Sequence, residues 1–279
     1  MFDFRTYDAV KALLQEKDRR FVESMADQIS RRSQKNVSIL DVGAFDCRNT
    51  VALKLALEAK NLTPAIVAIE PDPTPKTKMI ARAHNIRFGA LSYQELLLQP
   101  YAVGPRIYDF ILMQNLFYHI HRSEWHALLR QTGAIMNAES ECVVSLVSRD
   151  CSLYTFIASF LEKFNVPETE RTFLRHGQYV FFEDFFDEDM KTGLVVRRTV
   201  EIASSIRLAS ATGSEFRGLS SAQKSAVKSA AMTRLSFFGR IGLPYLKLMD
   251  DAAFASILRA QPAEGFQTVD RVAILAVST

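Results

Sequence analysis

Apolar residues follow two rhythms along this chain. Val37 to Val42, Ala65 to Ile69, Ile107 to Met113 and Cys142 to Val147 are short runs that are largely apolar, and Ile86-Arg87-Phe88 is a briefer one. Between them, apolar positions recur every three or four residues. The runs are the length of buried strands, and the spaced stretches are amphipathic helices. A helix is predicted over residues 6–32, with Val10, Leu13, Leu14, Phe21, Met25 and Ile29 at helical spacing. Others are predicted over 51–60 with Asn49 or Thr50 as cap, from Pro75 to His84, and from a Ser92 cap to Leu98. A further helix runs over 124–137 from a Ser123 cap, with Trp125, Leu128, Leu129 and Ile135 on one side. Strict alternation of strand and helix implies a parallel sheet covered on both faces. Ligands of such sheets bind beyond the carboxyl ends of the strands, where Gly43, Glu70, Gln114 and Ser148 fall.

After residue 150 the alternation stops. Residues 152–164 form an apolar helix, Gln178 to Phe182 leads into an acidic helix over 183–191, and 194–202 reads as a strand. Residues 204–236 are rich in Ser, Ala and basic residues, with Arg207, Arg217, Lys224, Lys228 and Arg234 against one acid, Glu215. Helices are expected there and over 245–260, inserted before a closing strand at 269–277.

Composition narrows the classes. The chain has 279 residues, 48% of them hydrophobic, 23% charged, with a formal net charge of +3. That is enough for a substantial core, and too little charge to imply nucleic acid. Cys47, Cys142 and Cys151 show neither metal spacing nor a disulfide framework and fit a reducing compartment. No leader-like stretch and no apolar run near ~18 residues is evident, so the expectation is a cytoplasmic protein off the membrane. The basic stretch lacks an accompanying aromatic-basic motif, so it reads as a solvated helical face with no nucleic-acid partner.

Candidate chemistry concentrates after the first two strands. Asp41-Val42-Gly43 is followed by a polar turn and a helix, and Gly43 permits a tight turn with close approach of backbone to ligand. Glu70 ends the second strand, where a carboxylate accepts two hydrogen bonds from ribose hydroxyls. His119, His121 and His126 lie on different local structures with no carboxylate or thiolate to complete a set, so no metal is expected. Phe117 and Tyr118, which follow the fourth strand, are better site candidates than the other aromatic residues.

Asp41-Val42-Gly43, Ile69-Glu70-Pro71 and Tyr108-Asp109-Phe110-Ile111-Leu112-Met113-Gln114 together resemble the class I S-adenosylmethionine-dependent methyltransferases. More narrowly, residues 108–118, 142–148, Gln178-Tyr179 and the closing strand resemble the histamine N-methyltransferases and their bacterial relatives. The resemblance implies a Rossmann-like, mostly parallel seven-stranded sheet with helices on both faces. It divides the chain into a helical cover (1–36), a core (37–203 and 265–279) and a helical insertion over the substrate (204–264), all in one structural domain. It implies S-adenosyl-L-methionine as cofactor. Asp41, Gly43 and Ala44 would lie against its methionine part, with Asp46 reaching the amino group. Glu70 and Pro71 would lie at the ribose, and Leu91 and Ser92 near the adenine. Gln114, Phe117 and Tyr118 would line the junction with substrate. Asp270, on the closing strand, would contact the substrate and accept its proton, with Glu16 a second candidate for that contact. His119 or His121 is the base in an alternative in which oxygen is methylated. The family's Gly-x-Gly-x-Gly run is here Gly43-Ala44-Phe45-Asp46-Cys47, two glycines short, which raises a third reading, a non-catalytic partner protein of the same fold. The expected partner is a small-molecule substrate, most simply an amine, and the chain a monomer or homodimer.

Overall fold

The computed structural model describes residues 4–32, 35–98, 107–167, 181–186, 193–239, 243–248 and 251–278. In chain order the elements are α1 (Phe4–Ser30), β1 (Asn36–Val42), α2 (Arg48–Glu58), β2 (Thr63–Ile69), α3 (Pro75–Ala83), β3 (Arg87–Gly89), α4 (Tyr93–Leu98), β4 (Phe110–Gln114), α5 (Arg122–Thr132) and β5 (Glu141–Val147). There follow α6 (Ser152–Lys163), α7 (Phe182–Phe186), β6 (Leu194–Ile206), α8 (Gly213–Arg217), α9 (Ser221–Gly239), α10 (Leu243–Leu248), α11 (Asp251–Ala260) and β7 (Phe266–Val277). The seven strands form one sheet in the order β3-β2-β1-β4-β5-β7-β6. The β1–β2, β1–β4, β2–β3 and β4–β5 pairs are parallel. This is the doubly wound order with its last strand inserted beside β5, the arrangement of the class I methyltransferase fold.

The chain divides into two compact units, residues 18–146, 180–202 and 270–279 in one, and 1–17, 147–179 and 203–269 in the other. In the first of these, alternation along the strands feeds two cores. Leu40, Val42, Ile111, Met113, Val144 and Leu146 pack with Tyr93 and Leu96 of α4 and Trp125, Leu128 and Leu129 of α5. Ile39, Ala68, Phe110, Leu112 and Val143 face the other way, against Phe21, Met25 and Ile29 of α1 and Leu53 and Leu57 of α2. A strand covered on both faces has no polar face to show, which is why these runs read as continuous. At the amino end of β5, buried Glu141 is paired with Arg32 at 2.7 Å, which keeps a charge off water without leaving it alone.

The other unit is mainly helical. Phe156 of α6 stacks on Phe266 of β7 at 4.7 Å, and Phe216 of α8 meets Phe254 of α11 edge-on at 5.0 Å. Two of its described basic residues are engaged locally. Arg234 is half-buried and donates to the Arg207 and Leu208 carbonyls, and Lys228 pairs with Asp251 at 2.6 Å.

Several boundaries differ from the sequence reading. Helix α2 starts at Arg48 with Cys47 as its N-cap residue, so Asn49 and Thr50 lie inside it and cap nothing. Their side chains instead turn to Gln114 and Asp41. Helix α5 is capped by His121, whose ring nitrogen accepts from the Ser123 amide, not by Ser123 itself. Strand β6 continues to Ile206, because buried Ser204 meets Thr268 at 2.6 Å and so stays in the sheet despite its polarity. The helix expected over 245–260 is α10 and α11, with 249–250 outside the described residues. Residues 178–180 and 187–191 also lie outside them.

Candidate functional site

The register of the parallel strands sets out the site. Val42 pairs with Ile69, Asp41 with Leu112, and Gln114 with Ser145. Continued by one or two steps, this puts Glu70, Gly43, Gln114 and Ser145 at one level across four adjacent strands. Alternation turns the side chains of Glu70, Gln114 and Ser145 toward the α1/α2 face. The amide of Asn115 donates to the Ser145 carbonyl at 3.1 Å, which fixes the β4–β5 step of the row.

The turn after β1 is left-handed at three alternate positions, only one of which is a glycine. Gly43, Phe45 and Cys47 have φ of 73°, 49° and 60°, all left-handed. These are the three positions of the Gly-x-Gly-x-Gly pattern. A side chain in that conformation costs about 1–2 kcal/mol. Cys47 offsets its cost by burying completely among α1, α2 and the strands. Burial pushes its thiol up to about 12, so it is inert packing rather than a nucleophile. Gly43 has no such freedom, since a Cβ there would sit 3.3 Å from Leu116 Cδ1. Gly43→Ala is therefore expected to lower stability by ~1–2 kcal/mol, measured by urea unfolding, through left-handed strain to which the tight contact with Leu116 adds.

Most of the amides of this loop are already used within the chain. Gly43 and Ala44 donate to the Ile69 carbonyl at 2.9 and 3.0 Å, and Cys47 to the Ala44 carbonyl at 2.8 Å. The Phe45 amide donates to Glu70 Oε2 at 3.1 Å. The turn is thus held in shape by its own bonds, and it offers a ligand its surface more than its donors. Asp46 is likewise occupied, pairing with Arg48 Nε at 2.5 Å.

Two acids face this turn. Glu70 accepts from Phe45 and, through Oε1, from the Asp72 amide at 3.3 Å. Each oxygen retains a lone pair for a further donor. Burial raises its pKa, and those two amides pull it back. Burial also pushes Asp41 up to about 6, opposed by the Thr50 hydroxyl that donates to its carboxylate and reinforced by the charge on Glu70. A hydroxylated, cationic ligand fits a site with two acids and an already ordered turn.

Gln114 stands beside the turn. Asn49 Nδ2 donates to its Oε1 at 3.0 Å, while its buried Nε2 has no hydrogen-bond partner. Asp270 is 2% exposed on β7 and shares the strand face of Val272, which packs with α1 and α2.

Other expected residues fall elsewhere. Phe117 is buried on the opposite face, 4.5 Å from the Phe185 ring and edge-on to Trp125, and Tyr118 packs against the same core. Leu91 packs there too. Ser92 makes a reciprocal cap with Glu95 at the start of α4. Pro71 is exposed behind Glu70. The His121 ring is committed to its cap, with Nδ1 2.7 Å from Ser123 Oγ. The side chain of His119 is outside the described residues, and Glu16 lies on α1 in the mainly helical unit. Among the described residues no group of three or more His, Cys, Asp or Glu is placed to hold a metal. No helix among them is long and apolar enough to cross a membrane.

Sequence reasoning missed Ser145 and the Asn49–Gln114 bond. The signal for Ser145 was present, since it is the only hydroxyl residue in the run Cys142 to Val147. For Asn49 there was none, because the bond joins residues 65 apart.

No family model matches the chain, and no curated protein matches it. Solved structures do. The chain is similar to a protein described as a sarcosine dimethylglycine methyltransferase from Galdieria sulphuraria, at 14% identity over 92% of this chain and 85% of that one, with a TM-score of 0.48. It is similar to the cyclopropane synthase MmaA2 from Mycobacterium tuberculosis, at 12% identity over 87% and 79%, with a TM-score of 0.48. It is also similar to the Burkholderia thailandensis 1,6-didemethyltoxoflavin-N1-methyltransferase crystallised with S-adenosylhomocysteine, at 18% identity over 52% and 58%, with a TM-score of 0.39. At these identities the likeness says nothing about the reaction.

Proposed function

We propose that the chain is an S-adenosylmethionine-dependent methyltransferase acting on a small molecule, with an amine nitrogen as acceptor. The observation that carries this reading is the turn at 43–47. It holds left-handed backbone at all three glycine positions, level with a strand-end carboxylate, Glu70. That conformation is costly at Phe45 and Cys47, so its retention argues for use.

In this reading Glu70 holds the ribose hydroxyls, and the 43–45 backbone lies against the methionine part. Asp41 supplies negative potential toward the cationic end. When bound, the cofactor supplies an activated methyl group on a sulfonium. The chain's own residues then align the nucleophile and exclude water. Gln114, oriented by Asn49, sits level with the turn where the two ligands meet. Asp270 holds the substrate as a cation and accepts its proton, directly or through water. The likeness of residues 108–118 and 142–148 to histamine N-methyltransferases supports nitrogen over oxygen as the acceptor. So does the capping role of His121, which occupies the imidazole nitrogen that a base would need.

The test is calorimetric titration with S-adenosylhomocysteine. A micromolar Kd with one site is expected. Absence of binding at millimolar ligand would leave the non-catalytic reading, which the occupied loop amides favour.

A further inference from the structure

Two buried hydrogen-bonding groups stand side by side at the carboxyl ends of β4 and β5. Ser145 is fully buried, and its Oγ has no hydrogen-bond partner. Its direct partner in the parallel register is Gln114, whose buried Nε2 also has none. Asn49 Nδ2 donates to Gln114 Oε1 at 3.0 Å, which engages the amide oxygen and leaves Nε2 as the group without a partner. The amide's acceptor is therefore engaged and its donor remains. A hydroxyl beside it on the same strand face supplies a second donor. Buried polar groups in folded proteins are nearly always paired, so two adjacent exceptions at a ligand-facing strand edge call for a ligand.

The geometry selects the ligand's chemistry. An sp² oxygen accepting two hydrogen bonds of about 2.9 Å along its lone pairs holds their donors about 5 Å apart. Gln114 and Ser145 are register partners on adjacent strands, whose backbones lie about 4.8 Å apart, so one small group can reach both side chains. A ring nitrogen has one lone pair in the plane and satisfies only one donor. A carboxylate would satisfy both but carries charge, and Asp270 presents a buried carboxyl group on the same face of the neighbouring strand. Those considerations leave a neutral oxygen with two lone pairs, and a carbonyl is the one that brings no donor of its own to a pair of donors.

We infer that Gln114 and Ser145 form a paired donor site for a neutral carbonyl oxygen on the methyl-accepting substrate, so that the substrate is a carbonyl compound, such as an amide or ketone, with its nucleophile close to that group. Ser145 is then a specificity-determining contact. The substrate class rests on the methyltransferase reading above. The donor pair does not.

The test uses the full chain, first saturated with S-adenosylhomocysteine and then without it, titrated with benzamide as the neutral carbonyl probe and benzoate as its anionic counterpart. Binding is read from the ¹⁵N side-chain amide resonance of Gln114. Benzamide is expected to shift that resonance saturably and benzoate to leave it unmoved. Ser145→Ala should weaken benzamide about five- to tenfold, the scale of one neutral hydrogen bond. The same variant should leave the S-adenosylhomocysteine Kd unchanged and raise Tm by about 2–4 °C, because it deletes a buried group without a partner. A fall in Tm on Ser145→Ala would show the hydroxyl to be structurally satisfied and would overturn the proposal. So would equal binding of benzoate, no benzamide shift in the parent protein, or unchanged benzamide affinity in Ser145→Ala. Failure to bind S-adenosylhomocysteine with a persistent benzamide shift would remove the methyltransferase reading and leave the donor pair standing.

Discussion

Glu70→Ala is expected to weaken S-adenosylhomocysteine binding by about 100-fold or more. Hydrogen bonds to a charged acceptor contribute ~1.5–3 kcal/mol each, and the proposed ribose contact comprises two of them. The residue also does local work. Its Oε2 holds the Phe45 amide at 3.1 Å, and Phe45 is one of the left-handed positions in the turn. Removing the carboxylate therefore loses a ligand contact and loosens the turn together. Glu70→Gln separates the two effects. It keeps an acceptor for Phe45 but loses the charge, so binding should fall about tenfold, as for loss of charge assistance. Calorimetry on both variants, with circular dichroism to check the fold, decides the matter. An alanine variant that binds within threefold of the parent would remove Glu70 from the site and with it the main support for a nucleoside ligand.

How much of this arrangement was legible beforehand depended on where the information lies in the chain. Strands β1, β2, β4 and β5 were readable because burial on both faces leaves no polar face, and Glu70 and Gln114 stand out as the first polar residues after an apolar run. The caps were misplaced because the structure uses unusual ones. Cys47 enters α2 from a left-handed conformation with no side-chain cap, and His121 caps with a ring nitrogen, so nearby Asn, Thr and Ser residues drew the prediction. The end of β6 was missed because Ser204-Ser205 looks like a break. Only the partner residue, Thr268, explains why Ser204 is inside. Phe117 was drawn toward the site by its place after β4, but the short helical turn at 116–119 carries it to the opposite core. The sign of φ at Phe45 and Cys47 has no signature in residue type, since side chains other than glycine seldom adopt it. Losing two glycines suggested a damaged loop. The backbone is left-handed at all three of those positions, at Phe45 and Cys47 as at Gly43.

Asp41 ties that shape to pH, and Asp41→Asn is expected to move stability and affinity in opposite directions. Its pKa rises from 3.8 to about 6 on folding, chiefly through burial. Between about pH 4 and 6 the folded chain therefore holds a proton that the unfolded chain has released. Where the native state binds more protons, stability falls as pH rises. The loss accumulates through this window to ~3 kcal/mol, at 1.36 kcal/mol per unit, and stays constant above it. Asparagine keeps an acceptor for the Thr50 hydroxyl and removes the buried charge. Urea unfolding should show Asp41→Asn more stable than the parent by up to ~3 kcal/mol at pH 8 and little different at pH 4. A cationic ligand next to Asp41 reverses the preference, because it favours the ionised carboxylate. Cofactor binding to the parent should then tighten as pH rises through about 6, with proton release, and the asparagine variant should bind more weakly at pH 8 without that dependence. A variant that is both more stable and equally tight would show the buried acid to be a structural accident. Greater stability with weaker binding would show that the chain keeps a destabilising charge for the sake of the ligand, as active sites commonly do.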